Sequence, residues 1–177
     1  MIVINAMVAS LYAVLTYLGG FLGLSYGFMQ FRFSEFLMLL AFFNPSYSFG
    51  LTLGCLIANL MSTAGIYDVV FGTLATLISC LLMVGFSKLW KNLFFNGLIP
   101  CLINAIMVPF IIYLACLNTP DEMTLDFALY FTMFGWVFLG EFLSINVFGY
   151  VIMMPLAKKY KGFYPLINAR SNLDFKW

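Results

Sequence analysis

Apolar residues in this chain come in long unbroken runs, with polar positions confined to short interruptions. The runs cover about 2–24, 33–43, 48–62, 67–87, 93–117 and 125–157. A helix crossing a bilayer needs about twenty apolar residues, so the pattern predicts a membrane-spanning helix for most of these runs. The second and third are short for a span. Asn44-Pro45 divides them, because the residue before proline is pushed out of the helical region. They read either as two short helices or as one kinked span, which leaves a count of six or five.

Composition agrees with the pattern. Of the residues, 64% are hydrophobic and 8% charged, and the mean hydropathy is +1.03, far from the soluble average of about 45–50% apolar. The expectation is an all-α integral membrane protein with one membrane domain over 1–157 and a short basic tail over 158–177. The first run lacks a basic leader and is long for a signal's apolar core, so it is expected to be a retained helix. A net charge of +1 argues against nucleic-acid binding.

Charge placement orients the spans. Lys88 and Lys91 lie between the fourth and fifth runs; Lys158, Lys159, Lys161, Arg170 and Lys176 follow the last. Two spans separate the groups, so both fall on one side, cytoplasmic by the positive-inside rule. Asp121, Glu122 and Asp126 are then external. With six helices the N-terminus is cytoplasmic, and Arg32, Glu35 and Asp68 face outward. With five, Arg32 faces inward.

Several polar residues need a reason to sit among so many apolar ones, since ionisable groups in spans usually face a cavity or a partner. Glu141 follows Asp126 by about fifteen residues, or about 22 Å of helix, and so lies deep in the hydrocarbon zone. Its candidate roles are a ligand or ion contact, or a protonated bond to a neighbouring helix. In "QFRFSEF", residues 30–36, Gln30, Arg32, Ser34 and Glu35 cluster, and Arg32 and Glu35 could pair across one turn. Phe28, Phe31 and Phe33 read as an interfacial aromatic belt, or else as a pocket wall. Asn59 and Asn104 are mid-span amides. Asp68 stands where an N-cap belongs. Pro100 and Pro109 are expected to kink the fifth span. Ala9 and Ala13 form a small-xxx-small pair that lets another helix approach, within the fold or on a separate subunit.

Some chemistries are excluded or disfavoured. The absence of histidine removes His-based triads, proton relays and the usual metal sites. Cys55, Cys80, Cys101 and Cys116 lie in apolar runs without a C-x-x-C pair, as buried free thiols do. No phosphate-binding G-x-x-x-x-G-K-[ST] loop is present, so the chain cannot be its own ATPase. No repeated halves are visible. Neither enzyme activity, a cofactor nor a metal is expected.

Residues 26–78 carry Q-F-R-x-S-E, then G-L-T-L-G-C-x-x-A-N-L, then D-x-V-F-G-T-L-A-T-L. With Pro100, Asn104 and Gly140-Glu141, this pattern resembles the QueT family of membrane substrate-binding proteins, over about 6–157. The resemblance implies an S-component of an energy-coupling factor (ECF) importer, a six-helix bundle with both termini cytoplasmic in the cell membrane. It also implies a transmembrane coupling protein and two ABC-type ATPases as partners, with Ala9 and Ala13 as the docking pair. The implied substrates are queuosine precursors: 7-cyano- or 7-aminomethyl-7-deazaguanine, or queuine. A 7-deazaguanine offers adjacent N1–H and 2-amino donors that one carboxylate can accept together. Glu141 is the first candidate for that role and Glu35 the second. Arg32, Asn59 or Asn104 would suit O6, and Glu35 or Asp68 a cationic substituent. Tyr26, Phe31 or Trp136 could stack on the ring. Gln30 completes the candidate rim. The competing readings are a stand-alone secondary transporter with Glu141 as ion or proton site, and an S-component for another flat heterocyclic vitamin.

Overall fold

The computed structural model describes residues 1–23, 31–116, 126–159, 162–167 and 169. Among them the regular structure is all helical. Helix α1 is Ile2–Phe21; α2 is Phe33–Phe43, which opens as a 3₁₀ helix; α3 is Tyr47–Asn59; α4 is Asp68–Phe86; α5 is Leu93–Cys116. Helix α6 runs continuously over 127–159, and the short α7 is Phe163–Leu166. The first turn of α4 (Asp68–Gly72) and the middle of α6 (Leu143–Phe148) are π-helical. Four segments are long and apolar enough to cross a membrane: Ile2–Phe21, Asp68–Phe86, Leu93–Cys116 and Phe127–Leu156. Helices α2 and α3 are apolar but shorter. Helix α5 is uninterrupted through Pro100 and Pro109.

Side-chain contacts give the direction of each helix. A Cβ placed on Gly50 would lie 2.7 Å from the Asn5 carbonyl, and one on Gly54 2.8 Å from that of Ala9. Tyr17 Oη donates to the Ile57 carbonyl at 2.6 Å. These pairs ascend together, so α1 and α3 are parallel. Helix α2 descends against α1, since Ser34 meets Thr16 and the next residue, Glu35, meets Tyr12. Asn59 reaches the Asp68 carbonyl and Thr76 reaches Cys55, so α4 descends beside α3. Phe71 meets Phe110 at one end and Phe86, Trp90 and Phe95 meet at the other, so α5 ascends. Asn104 meets Glu141 and Asn146 meets the Phe94 carbonyl, so α6 descends. Tyr47 Oη donates to the Ile167 carbonyl at 3.0 Å, which brings the start of α3 to the end of the bundle where α6 finishes.

Helix α2 is the axis of this arrangement. Every residue from Leu37 to Phe43 is buried, as expected of a helix that is apolar all round. The outer helices present the opposite aspect: Ile2, Phe21 and Val151 are 87%, 89% and 65% exposed. So much apolar surface suits lipid rather than water. This is a membrane protein with its polar groups turned inward.

The crossing of α1 and α3 depends on Gly54, because a methyl group there meets backbone on the facing helix. Gly54→Ala is expected to destabilise the protein by about 1–3 kcal/mol, the usual penalty for overpacking. Gly85→Ala, at a site with nothing within 4 Å, should be neutral or slightly stabilising. Thermal unfolding in detergent measures both; equal effects would contradict this account of the crossing.

Candidate functional site

The polar residues of "QFRFSEF" fold into the interior. At the head of α2, Arg32 is 5% exposed and Glu35 fully buried. Arg32 Nη2 pairs with Asp68 Oδ2 on α4 at 3.3 Å, and both side chains are almost entirely covered. The sequence suggested an Arg32–Glu35 pair and a capping role for Asp68. Instead the guanidinium reaches across to the Asp68 carboxylate on another helix, and the N-cap position of α4 is Tyr67. The reason is solvation: a buried cation needs a counter-charge more than a helix N-terminus needs a cap.

Glu35 is held from the other side. Tyr12 Oη of α1 donates to Glu35 Oε1 at 2.5 Å, and one turn later Thr16 and Ser34 share a hydroxyl–hydroxyl bond of 2.6 Å. Asn59 at the end of α3 donates to the Asp68 carbonyl at 3.0 Å and to Cys55 Sγ at 3.4 Å. Gly72 makes room for this: a Cβ there would fall 2.5 Å from Asp68 Oδ1 and 2.8 Å from Asn59 Nδ2. On the far helices, Asn104 Nδ2 donates to Glu141 Oε1 at 3.0 Å. Helix α2 packs directly on α6, with Phe33 against Phe148 and Leu39 and Phe36 facing Gly149, so the two polar groups lie on neighbouring helices of one bundle.

The interior is short of donors. Glu35 Oε2, Glu141 Oε2 and Asn59 Oδ1 are buried without a hydrogen-bond partner. An unmatched buried acceptor costs about 1–3 kcal/mol, more if charged, so each of these oxygens suits a ligand that brings an N–H group. Among the described residues no group of three or more His, Cys, Asp or Glu could hold a metal ion.

Arg32, Asp68 and Asn59 are brought together beside Glu35 at the head of α2, and Asn104 is brought to Glu141 between α5 and α6. Trp136 is not; it is 46% exposed, and five residues from Glu141 is about 140° around a helix. Phe31 and Phe33 pack edge to face with each other and with Phe148 of α6, at 4.8–5.7 Å, closing an aromatic cluster beside the core. Gln30, Tyr26 and Phe28 lie outside the described residues. Ala9 and Ala13 are 3% and 5% exposed; their face is turned inward, with Ala9 against Gly54 of α3. Sequence reasoning missed Tyr12 and Thr16. Their spacing of four puts them on one helical face, but only the structure shows that α2 lies opposite.

Comparison with known proteins adds an independent line. The model of a family described as QueT transporter matches residues 2–158. The "Queuosine precursor transporter QueT" of Lactococcus lactis subsp. cremoris (strain MG1363) is 35% identical over 162 residues, which cover 89% of this chain and 92% of that protein. No solved structure matches.

Removing one member of the buried ion pair strands the other. Arg32→Met is expected to cost about 3–5 kcal/mol, and Arg32→Met with Asp68→Leu to recover most of it. Unfolding of the single and double variants in detergent measures this. A double variant as unstable as the sum of the two singles would contradict the pairing.

Proposed function

The chain belongs to the QueT transporter family, and we propose that it is the membrane-embedded substrate-binding subunit of an ECF-type importer for queuosine precursors. The substrate class is that named for the Lactococcus lactis relative, and the observation that carries it here is the pair of interior carboxylates with unpartnered oxygens, on Glu35 and Glu141. A 7-deazaguanine presents N1–H and the 2-amino group side by side, and an aminomethyl substituent adds a cation. Carboxylates excluded from water hold such donors strongly. In this reading Glu141 takes the guanine edge and Glu35 a second donor. Asn59 Oδ1 accepts a further N–H, while the Arg32–Asp68 pair sets the charge of the site. Phe31, Phe33 and Phe148 supply a wall for the flat ring.

Six alternating helices bring Lys88, Lys91, Lys158 and Lys159 to one end of the bundle, which the positive-inside rule makes cytoplasmic. Both termini then lie inside the cell, and Arg32 and Asp68 are nearer the outer face, where substrate arrives. With no nucleotide-binding loop of its own, the chain depends on a coupling protein and two ABC-type ATPases to drive release inward. Helix α1 would meet the coupling protein through its outward residues, such as Ala6, Ser10 and Val14, since Ala9 and Ala13 are inside the packing. A stand-alone secondary transporter using Glu141 as an ion site is the alternative, supported by that residue's free oxygen.

Calorimetry of the purified protein with 7-aminomethyl-7-deazaguanine tests the proposal, with guanine and riboflavin as controls. The expected result is tight, selective binding without any partner, weakened at least tenfold by Glu141→Gln. No binding of any 7-deazaguanine would overturn the substrate assignment. Ion-driven uptake into vesicles without an ATPase would favour the alternative.

A further inference from the structure

One device occurs twice in the polar core. Glu35 and Glu141 each have Oε1 tied by a neutral donor, Tyr12 Oη at 2.5 Å and Asn104 Nδ2 at 3.0 Å. Each leaves Oε2 buried and unpartnered. A carboxylate held by one oxygen has its rotation about the side chain fixed, so the other oxygen points in a set direction. Tyr12 suits this task because it is itself immobile, at 0% exposure in the main apolar core. Its backbone is braced as well: Thr16 Oγ1 bonds to the Tyr12 carbonyl at 2.9 Å while sharing the contact with Ser34. One turn of α1 thus grips two consecutive residues of α2, and the grip ends at a free carboxylate oxygen.

We propose that Tyr12 is a positioning residue for substrate recognition: it binds no ligand itself, but fixes Glu35 so that Oε2 accepts one of the ligand's N–H donors. A purely structural tie between α1 and α2 is already supplied by Thr16 and Ser34. A second tie serving structure alone would have no reason to leave a carboxylate oxygen unmatched in the interior, where the mismatch is costly. This inference rests on the transporter reading above and adds to it a residue that touches neither substrate nor solvent.

The test compares three ligands by calorimetry on the full chain: 7-aminomethyl-7-deazaguanine, the analogue lacking the 2-amino group, and the analogue with methyl in place of aminomethyl. Tyr12→Phe is expected to weaken the parent ligand about tenfold. It should also shrink the gap between the parent and one analogue, the same analogue whose gap shrinks in Glu35→Gln. The double variant should bind no more weakly than Glu35→Gln alone, because Tyr12 acts only through Glu35. Tyr17→Phe, which removes the tie from α1 to the Ile57 carbonyl of α3, should leave the gaps unchanged. A uniform loss for all three ligands in Tyr12→Phe would overturn the proposal, as would an effect additive with Glu35→Gln or a variant that does not fold. Failure of the wild-type protein to bind any of the three would overturn the transporter reading itself. Wild-type binding with an unaffected Tyr12→Phe would overturn only the role of Tyr12.

Discussion

Burying the Arg32–Asp68 pair and two glutamates inside an apolar bundle constrains everything around them. Each polar group taken from water is costly unless a counter-charge or a hydrogen-bond partner meets it. Arg32 could meet Asp68 only if α2 descended through the centre with its head beside the start of α4. That places Glu35 against α1, which answers with Tyr12. The same demand on the other side of the bundle is met by Asn104 and Glu141. The helices are therefore arranged around a polar core as much as around an apolar one.

Close approach makes the core compact enough for such short bonds. Gly50 and Gly54 let α1 lie on α3, and Gly72 lets Asp68 and Asn59 share a corner. Gly97 likewise faces Asn146, whose side-chain amide donates to the Phe94 carbonyl and fastens α6 to α5. Small residues and interhelical amides take this role in membranes because lipid tails give apolar side chains little reason to associate. The π-helical turns fall at Asp68–Gly72 and Leu143–Phe148, beside the ion pair and just beyond Glu141.

Much of the fold is legible in the sequence. The apolar run at 33–43 coincides with Phe33–Phe43, and that at 67–87 nearly so with Asp68–Phe86, because hydrophobic runs and the Asn44-Pro45 break report local chain properties. The site is legible only in part. Charges such as Glu141 and Arg32 stand out because they are rare in apolar surroundings. Their partners do not: Arg32 and Asp68 are 36 positions apart, and Tyr12 resembles any core aromatic until its neighbour is known. Pairing is a property of packing, which a single sequence does not display. Trp136 shows the same limit: its ring suits stacking, but it is 46% exposed and lies about 140° around α6 from Glu141.

The central claim is that the buried polar core receives the transported molecule. A ligand-bound structure of the protein with 7-aminomethyl-7-deazaguanine tests it most directly. The account predicts the heterocycle between α2 and α6, with N–H groups within hydrogen-bond distance of Glu35 Oε2 and Glu141 Oε2 and the Arg32–Asp68 pair intact. Ligand bound instead at the surface cleft of about 360 Å³ formed by Leu89, Trp90, Lys91, Asn92 and Phe95, with both glutamate oxygens still unmatched, would contradict it.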